Sequence, residues 1–414
     1  MRVFALELKR VLKTRITWLL LAAALGLTIW FAWVPTTFHG FHITEENGQE
    51  TVYRGMSLIQ KKKELQEPIT GVLTPDVIQR AVEQAQGCLR DNHLEFEYDL
   101  QDLPYVYGYL PVAPVIPKVK EAYADFKNGV APDLLDVDPS AVEQFYPQCQ
   151  RQLKALMQRE QPKHPEAGVL AEKLYDRVEK PFTFYPGFSS DAIDYQMMLA
   201  LLIMMICIVI AAPVFSSDYQ TGADDILRCT RQGRLPLGLA KAGAALLICG
   251  VTFGFCAGLY ILISNCLFGW ETTKTSVQML YSAMSLTPMN VGQLKISGAL
   301  VGLLCLLNTV AFTLFLSANI KNPMVSMAVS LTAGISPMFL CAMSSHNLMK
   351  WLVCLLPAHG LNVQSNFIYE LVSFDFLCLG KHAFWMPHVT ILFALLELPL
   401  FVFLAVHSYC RHSK

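Results

Sequence analysis

The most informative pattern of charged side chains in this chain lies between Val214 and Ala242, in the segment VFSSDYQTGADDILRCTRQGRLPLGLAKA. Asp224 and Asp225 precede an apolar pair, and acidic residues favour the first turn of a helix because they face the positive end of its dipole. The pattern predicts a short amphipathic helix of the kind that docks into a groove of a partner protein. A solvated loop would explain the arginines that follow, Arg228, Arg231 and Arg234, but not the Gly-Ala-Asp-Asp-Ile-Leu pattern.

Motifs for catalysis are absent from the sequence. The nearest match to the GxxxxGK[ST] nucleotide loop is Gly233 to Gly238, where Leu239 stands in place of the required lysine. No HExxH or GxSxG motif occurs. We therefore expect that this chain is not an enzyme and binds no cofactor of its own.

The ten histidines are scattered along the chain. His39 and His42 could share a helix face, but two histidines without cysteine or carboxylate at ligand spacing are a weak metal signal. We interpret them as solvated surface residues and predict no metal site.

Cys88 and Cys149 are the two cysteines between residues 35 and 194. An oxidising exterior would allow them to form a disulfide, and two separate buried thiols are the alternative. Cys354 and Cys378 are a weaker candidate pair, and the remaining cysteines fit small apolar packing positions.

Six stretches are long and apolar enough to cross a bilayer, which requires about 20 residues. Each must be helical, because only a helix satisfies its own backbone groups in hydrocarbon. The sequence thus predicts an all-α polytopic membrane protein. The predicted spans are 16–34, 195–214, 242–268, 296–317, 324–343 and 387–407, the last four within 242–409.

The distribution of charge predicts the orientation. Lysine and arginine mark the cytoplasmic side of short loops. With both termini in the cytoplasm, the inside segments hold twelve of these residues and the short outside loops hold four, namely Lys274, Lys295, Lys350 and Lys381. This orientation leaves residues 1–15, 215–241 and 410–414 inside, and loops 269–295 and 344–386 outside.

Residues 35–194 are too many for a loop and predict a mainly helical extracellular domain. This region holds 16 Lys and Arg against 25 Asp and Glu, a net charge of −9. Thr74 before Pro75 predicts a helix to about Arg90, Ser140 with Glu143 predicts a capping box, and a third helix is expected over 166–180.

Glu397 is the one acidic residue in the predicted spans. A carboxyl group at mid-membrane costs about 2.5 to 3.5 kcal/mol on insertion scales and must face protein or water. We favour a structural role, with Asn308 of the fourth span as a partner, over contact with a substrate or proton.

The segment after the second span resembles that of permease subunits of ABC transporters of the second exporter type. Members often begin with a basic amphipathic stretch such as ELKRVLKTR, and in one variant a large external domain follows the first span. Asp218 stands where glutamate is common in the family, and the external domain matches only in position and size. The matching residues are Val214, Phe215, Asp218, Tyr219, Gly222, Leu227, Gly233, Arg234 and Lys241.

The resemblance implies a bacterial host, and it implies that this chain forms a translocation pathway in the cell membrane while a separate cytoplasmic ATPase subunit binds ATP and magnesium. Residues 217–234 would form the coupling helix, and residues 1–13 an interfacial helix on the inner leaflet. A second permease chain, identical or related, would complete the conduit, with no nucleic acid partner. The expected coupling residues are Asp218, Tyr219, Gly222, Asp224, Asp225, Leu227, Arg228, Arg231, Gly233 and Arg234.

Two other functions compete with this interpretation. A non-transporting receptor, sensor or envelope-assembly protein acting through its extracellular domain would share the layout. An ion-coupled secondary transporter would show internal repeats with broken helices in matching halves, and the sequence contains no such repeat.

Overall fold

The computed structural model describes residues 2–38, 40–44, 50–229, 233–343 and 347–411. Within these residues, six helices are long and apolar enough to cross a membrane, the number that the sequence predicts. The elements up to residue 184 are α1 Arg2–Leu12, α2 Arg15–Trp33, β1 Gly40–Thr44, β2 Glu50–Arg54, α3 Met56–Leu65, β3 Gly71–Val72, α4 Pro75–Asp91, α5 Ile116–Ala122, α6 Phe145–Glu160, α7 Pro165–Tyr175 and β4 Thr183–Phe184. The later elements are α8 Asp191–Ala211, α9 Pro213–Thr221, α10 Ala223–Arg228, α11 Leu235–Phe268, α12 Val277–Leu280, α13 Val291–Asn319, α14 Pro323–Met343, α15 Asn347–Cys354, α16 Phe367–Val372, β5 Phe376–Leu379, β6 His382–Trp385 and α17 Met386–Arg411.

The long helices form a bundle in which α13 packs against α8, α11, α14 and α17. Small residues line these contacts, and they allow apolar helices to approach closely. Gly302 on α13 is one example, because a side chain there would meet the Phe253 ring at 3.1 Å. Ala311 and Ala318 on the same helix are also fully buried.

Residues 40–44 and 50–184, between α2 and α8, contain short helices and two small antiparallel strand pairs, and we call this region the inserted domain. Helix α4 buries Ile78, Val82, Ala85 and Leu89, whose three- and four-residue spacing places them on one face. Strand β3 pairs with β4 and so joins the chain just before α4 to the end of the domain. The domain core continues into the bundle's connecting loops through residues such as Leu286 and Phe367.

Several local predictions can be compared with these elements. The helix predicted after Thr74 is confirmed as α4. The capping box at Ser140 is wrong, because Asp138 is the capping residue and accepts the Ser140 N–H at 2.9 Å. Pro147 falls in the first turn of α6, where its missing N–H is tolerated, and α7 ends at Tyr175.

The sequence predicts Lys295 at the end of the outer loop 269–295, and this placement is wrong. Helix α13 begins at Val291, so Lys295 lies in its second turn and is fully buried. Its Nζ donates to Ser264 Oγ at 3.1 Å and Asn265 Oδ1 at 2.8 Å. The predicted boundary failed because a single lysine lowers local hydropathy without ending the helix.

Candidate coupling site

The second membrane helix continues beyond the predicted end of its span. Helices α8 and α9 together form a 31-residue run, Asp191–Thr221, that contains Pro213. Proline has no N–H and disrupts the helical hydrogen bonds around it. Ser317 of α13 compensates: its Oγ donates to the Ala212 carbonyl at 2.6 Å and accepts the N–H groups of Phe215 and Ser216, each at 3.1 Å. Ser317 thereby satisfies three backbone groups at the joint.

Gly222 ends α9 and begins α10. Its φ of +68° lies in the left-handed region that glycine adopts without a Cβ penalty. The chain then turns into α10, which has six residues. The predicted coupling helix over residues 217–234 is therefore wrong in extent, since residues 217–221 belong to α9.

Four charged side chains meet where α1, α9 and α11 come together, and we call them the charge quartet: Glu7, Arg10, Asp218 and Lys241. Arg10 binds Asp218 Oδ1 at 2.9 Å and Glu7 at 3.2 Å. Lys241 Nζ contacts Asp218 Oδ2 directly and lies 3.8 Å from Glu7. Two carboxylates thus balance two cations, and three elements distant in sequence are tied together.

Burial makes the balance within the quartet important. Lys241 is 1% exposed and Asp218 is 5% exposed. Removal of one partner of a buried ion pair is strongly destabilising, by about 3–5 kcal/mol, because the remaining charge loses its compensation. Asp218 is therefore an anchor inside the structure, and its expected part in coupling stays a prediction.

Other predicted coupling residues also pack inward. The Tyr219 hydroxyl donates to the Ala318 carbonyl at 3.2 Å. The Gly233 carbonyl accepts the Tyr409 hydroxyl at 3.2 Å. These two bonds fix both sides of the turn region to α13 and α17.

The surface of the segment is formed by α10 and the start of α11. Ile226 is 75% exposed, and Asp225 and Arg234 are also exposed. Leu227 is half-buried and packs against the bundle core. Arg231 and the side chains of Asp224 and Arg228 lie outside the described part of the chain.

Glu397 and Asn308 lie together between α13 and α17. Asn308 Nδ2 donates to Glu397 Oε2 at 2.7 Å, and Glu397 is 8% exposed. Thr309 Oγ1 binds the Pro357 carbonyl at 2.8 Å beside this pair. The contact links two membrane helices to the segment after α15.

Cys88 and Cys149 are separate free thiols with different neighbours. Cys88 contacts the Pro104 carbonyl at 3.3 Å, whereas Cys149 is buried in the inserted domain. Burial raises the pKa of the Cys149 thiol to about 12, which keeps it protonated and unreactive at neutral pH. The structure thus has the two-thiol alternative, and Cys354 and Cys378 are also free.

A buried polar cluster after α15 was missed by sequence reasoning. His359 Nε2 lies 2.8 Å from Glu370 Oε1 and 3.1 Å from Thr390 Oγ1. Burial alone would lower the pKa of the His359 imidazole, but the Glu370 carboxylate outweighs it and raises the pKa to about 10. Nothing in the sequence spacing of 359, 370 and 390 signals this cluster.

Glu7, Arg10 and Ser317 were also missed as positioning residues. The i,i+3 spacing of Glu7 and Arg10 within ELKRVLKTR was the available signal. His39 and the side chain of His42 lie outside the described residues.

Comparison of the chain with known protein families, curated proteins and solved structures gave no match.

Proposed function

We propose that this chain is the permease subunit of an ATP-driven exporter in the cell membrane, and that α10 is its coupling element. A cytoplasmic ATPase subunit would bind and hydrolyse ATP, while this chain, paired with a second permease chain, would form the pathway. The inserted domain would then lie outside the cell and both termini inside.

The observation that carries the proposal is the bend at Gly222 between α9 and α10, which we call the elbow. It is held rigidly on the α9 side and exposes an apolar side chain, Ile226, at the tip of α10. Helix α9 extends the second membrane helix to Thr221, and the charge quartet fixes it to α1 and α11. Ile226 stands on the exposed side of the elbow. A force applied to such a tip is transmitted to the membrane helices, because no loose loop intervenes between Thr221 and α10.

Helix α1 supports the same arrangement. It presents basic residues, Arg2 and Lys9, on its exposed side, while Val3 and Val11 pack against the bundle core. An amphipathic helix with this distribution lies in the membrane interface, where cations meet anionic headgroups. It would brace the elbow from the level of the inner leaflet.

The test is purification of the tagged full chain from its native membranes, followed by identification of bound proteins and an ATPase assay. We expect an ATP-hydrolysing subunit to co-purify with the chain. A variant with residues 223–228 replaced by a Gly-Ser sequence should lose that subunit and retain its place in the membrane. Absence of any ATPase partner, or retention of the partner by the replaced variant, would overturn the proposal and favour a function of the inserted domain alone.

A further inference from the structure

Three side chains with metal-binding atoms converge where the inserted domain meets the β5–β6 hairpin. They are His164 and Glu166 at the start of α7, and Cys378 on β5. Their ligand atoms all lie within 4.8 Å of one another. His164 Nδ1 is 3.1 Å from Glu166 Oε1.

The cysteine is held rigidly on its strand. The Cys378 N–H donates to Asn347 Oδ1 at 2.9 Å, and its carbonyl accepts Asn347 Nδ2 at 2.5 Å and Trp351 Nε1 at 3.3 Å. Strand β6 continues the hairpin and packs against α7. Two fixed elements, distant in sequence, therefore present the three ligand atoms to one point.

The geometry and the donor types point to a transition-metal site, and we propose that His164, Glu166 and Cys378 bind one zinc-like divalent cation. Thiolate, imidazole and carboxylate are the donors that Zn²⁺ takes, whereas Ca²⁺ and Mg²⁺ require oxygen ligands throughout. Ligand atoms on a tetrahedral zinc ion lie about 3.5 Å apart, so side-chain movements of about 1 Å complete the site.

An entry path to the site is present. A cavity of about 330 Å³ opens beside two of the ligands and is lined by His164, Asn347 and Cys378. Lys350 also lines it, but its charge is balanced by Asp375. The bound ion would join the inserted domain to the hairpin before α17, whether or not the chain is a permease.

The test uses the full-length chain in detergent, freed of metal by a chelator and titrated with Co²⁺ and then Zn²⁺. We expect a sulfur-to-cobalt charge-transfer band that saturates at about one ion per chain and disappears as Zn²⁺ displaces Co²⁺. Cys378→Ser should abolish the band, and His164→Ala should weaken Co²⁺ binding by at least about tenfold. Cys88→Ser is the matched control and should behave like the parent chain.

The opposite results are equally clear. Lack of the band in the parent chain, or its persistence in Cys378→Ser, would overturn the site. His164 has a partly exposed side chain, so its alanine variant decides the question if Cys378→Ser fails to fold: undiminished Co²⁺ affinity in His164→Ala would refute the assignment. A second readout is the thermal unfolding midpoint, which Zn²⁺ should raise in the parent chain but not in Cys378→Ser or His164→Ala.

Discussion

Asp218 of the charge quartet and Ile226 at the tip of α10 lie eight residues apart in sequence but have opposite environments. Asp218 is buried among cations from α1 and α11, whereas Ile226 is 75% exposed. The sequence pattern joined them into one coupling segment. The difference indicates two roles within the segment: its first half fixes α9 to α1 and α11, and its second half carries the exposed surface to which we propose that a partner binds.

The largest effect is expected at the anchor. Asp218→Asn leaves Lys241 and Arg10 with reduced compensation, so the free energy of unfolding should fall by about 3–5 kcal/mol. Thermal unfolding of the purified chain measures this loss. Asp225→Asn changes an exposed acid of the same segment and should cost at most about 1 kcal/mol.

A double variant sharpens this prediction. In Asp218→Asn combined with Lys241→Met, Glu7 and Arg10 still pair at 3.2 Å, so no buried charge is left alone. Stability should recover in part relative to Asp218→Asn. If the two single losses simply add, the quartet is not a coupled unit.

Asn308→Leu should have the next largest effect. It leaves the buried Glu397 carboxyl without the amide that bonds it at 2.7 Å, a loss of about 1–3 kcal/mol. Glu397→Gln keeps a hydrogen-bonding group at the position and should assemble more fully than Asn308→Leu. Normal assembly of Glu397→Gln with lost transport would instead show that Glu397 acts on substrate or protons.

A smaller effect, confined to binding, is expected at the tip. Ile226→Glu should lower the affinity for the proposed ATPase partner by about tenfold or more, because a charge replaces an apolar contact. It should change the free energy of unfolding by no more than about 0.5 kcal/mol. Co-purification and thermal unfolding together test this. Val169→Glu makes the same change at another solvent-facing aliphatic residue, 55% exposed on α7, and should leave the partner bound.

The sequence supports the coarse fold better than the site. Apolar stretches of about 20 residues have few alternatives to a membrane helix, so the six helices were predictable. The two partners of Asp218 could not be predicted in this way, because Lys241 and Arg10 come from helices that lie 23 and 208 residues away along the chain. The His164, Glu166 and Cys378 cluster was missed for the same reason: its ligands have no common spacing.

A further prediction concerns pH and the segment after α15. The pKa of His359 rises from 6.5 to about 10 in the folded chain because of Glu370. The folded state therefore binds the proton more tightly, and this stabilisation is fully present below about pH 6.5 and lost as the pH rises toward 10. The difference in thermal midpoint between the parent chain and His359→Gln should shrink across that window. A difference that stays constant, or grows with pH, would mean that His359 is neutral when buried and that Glu370 stabilises the segment through Thr390 instead, with which it shares a 2.6 Å hydrogen bond.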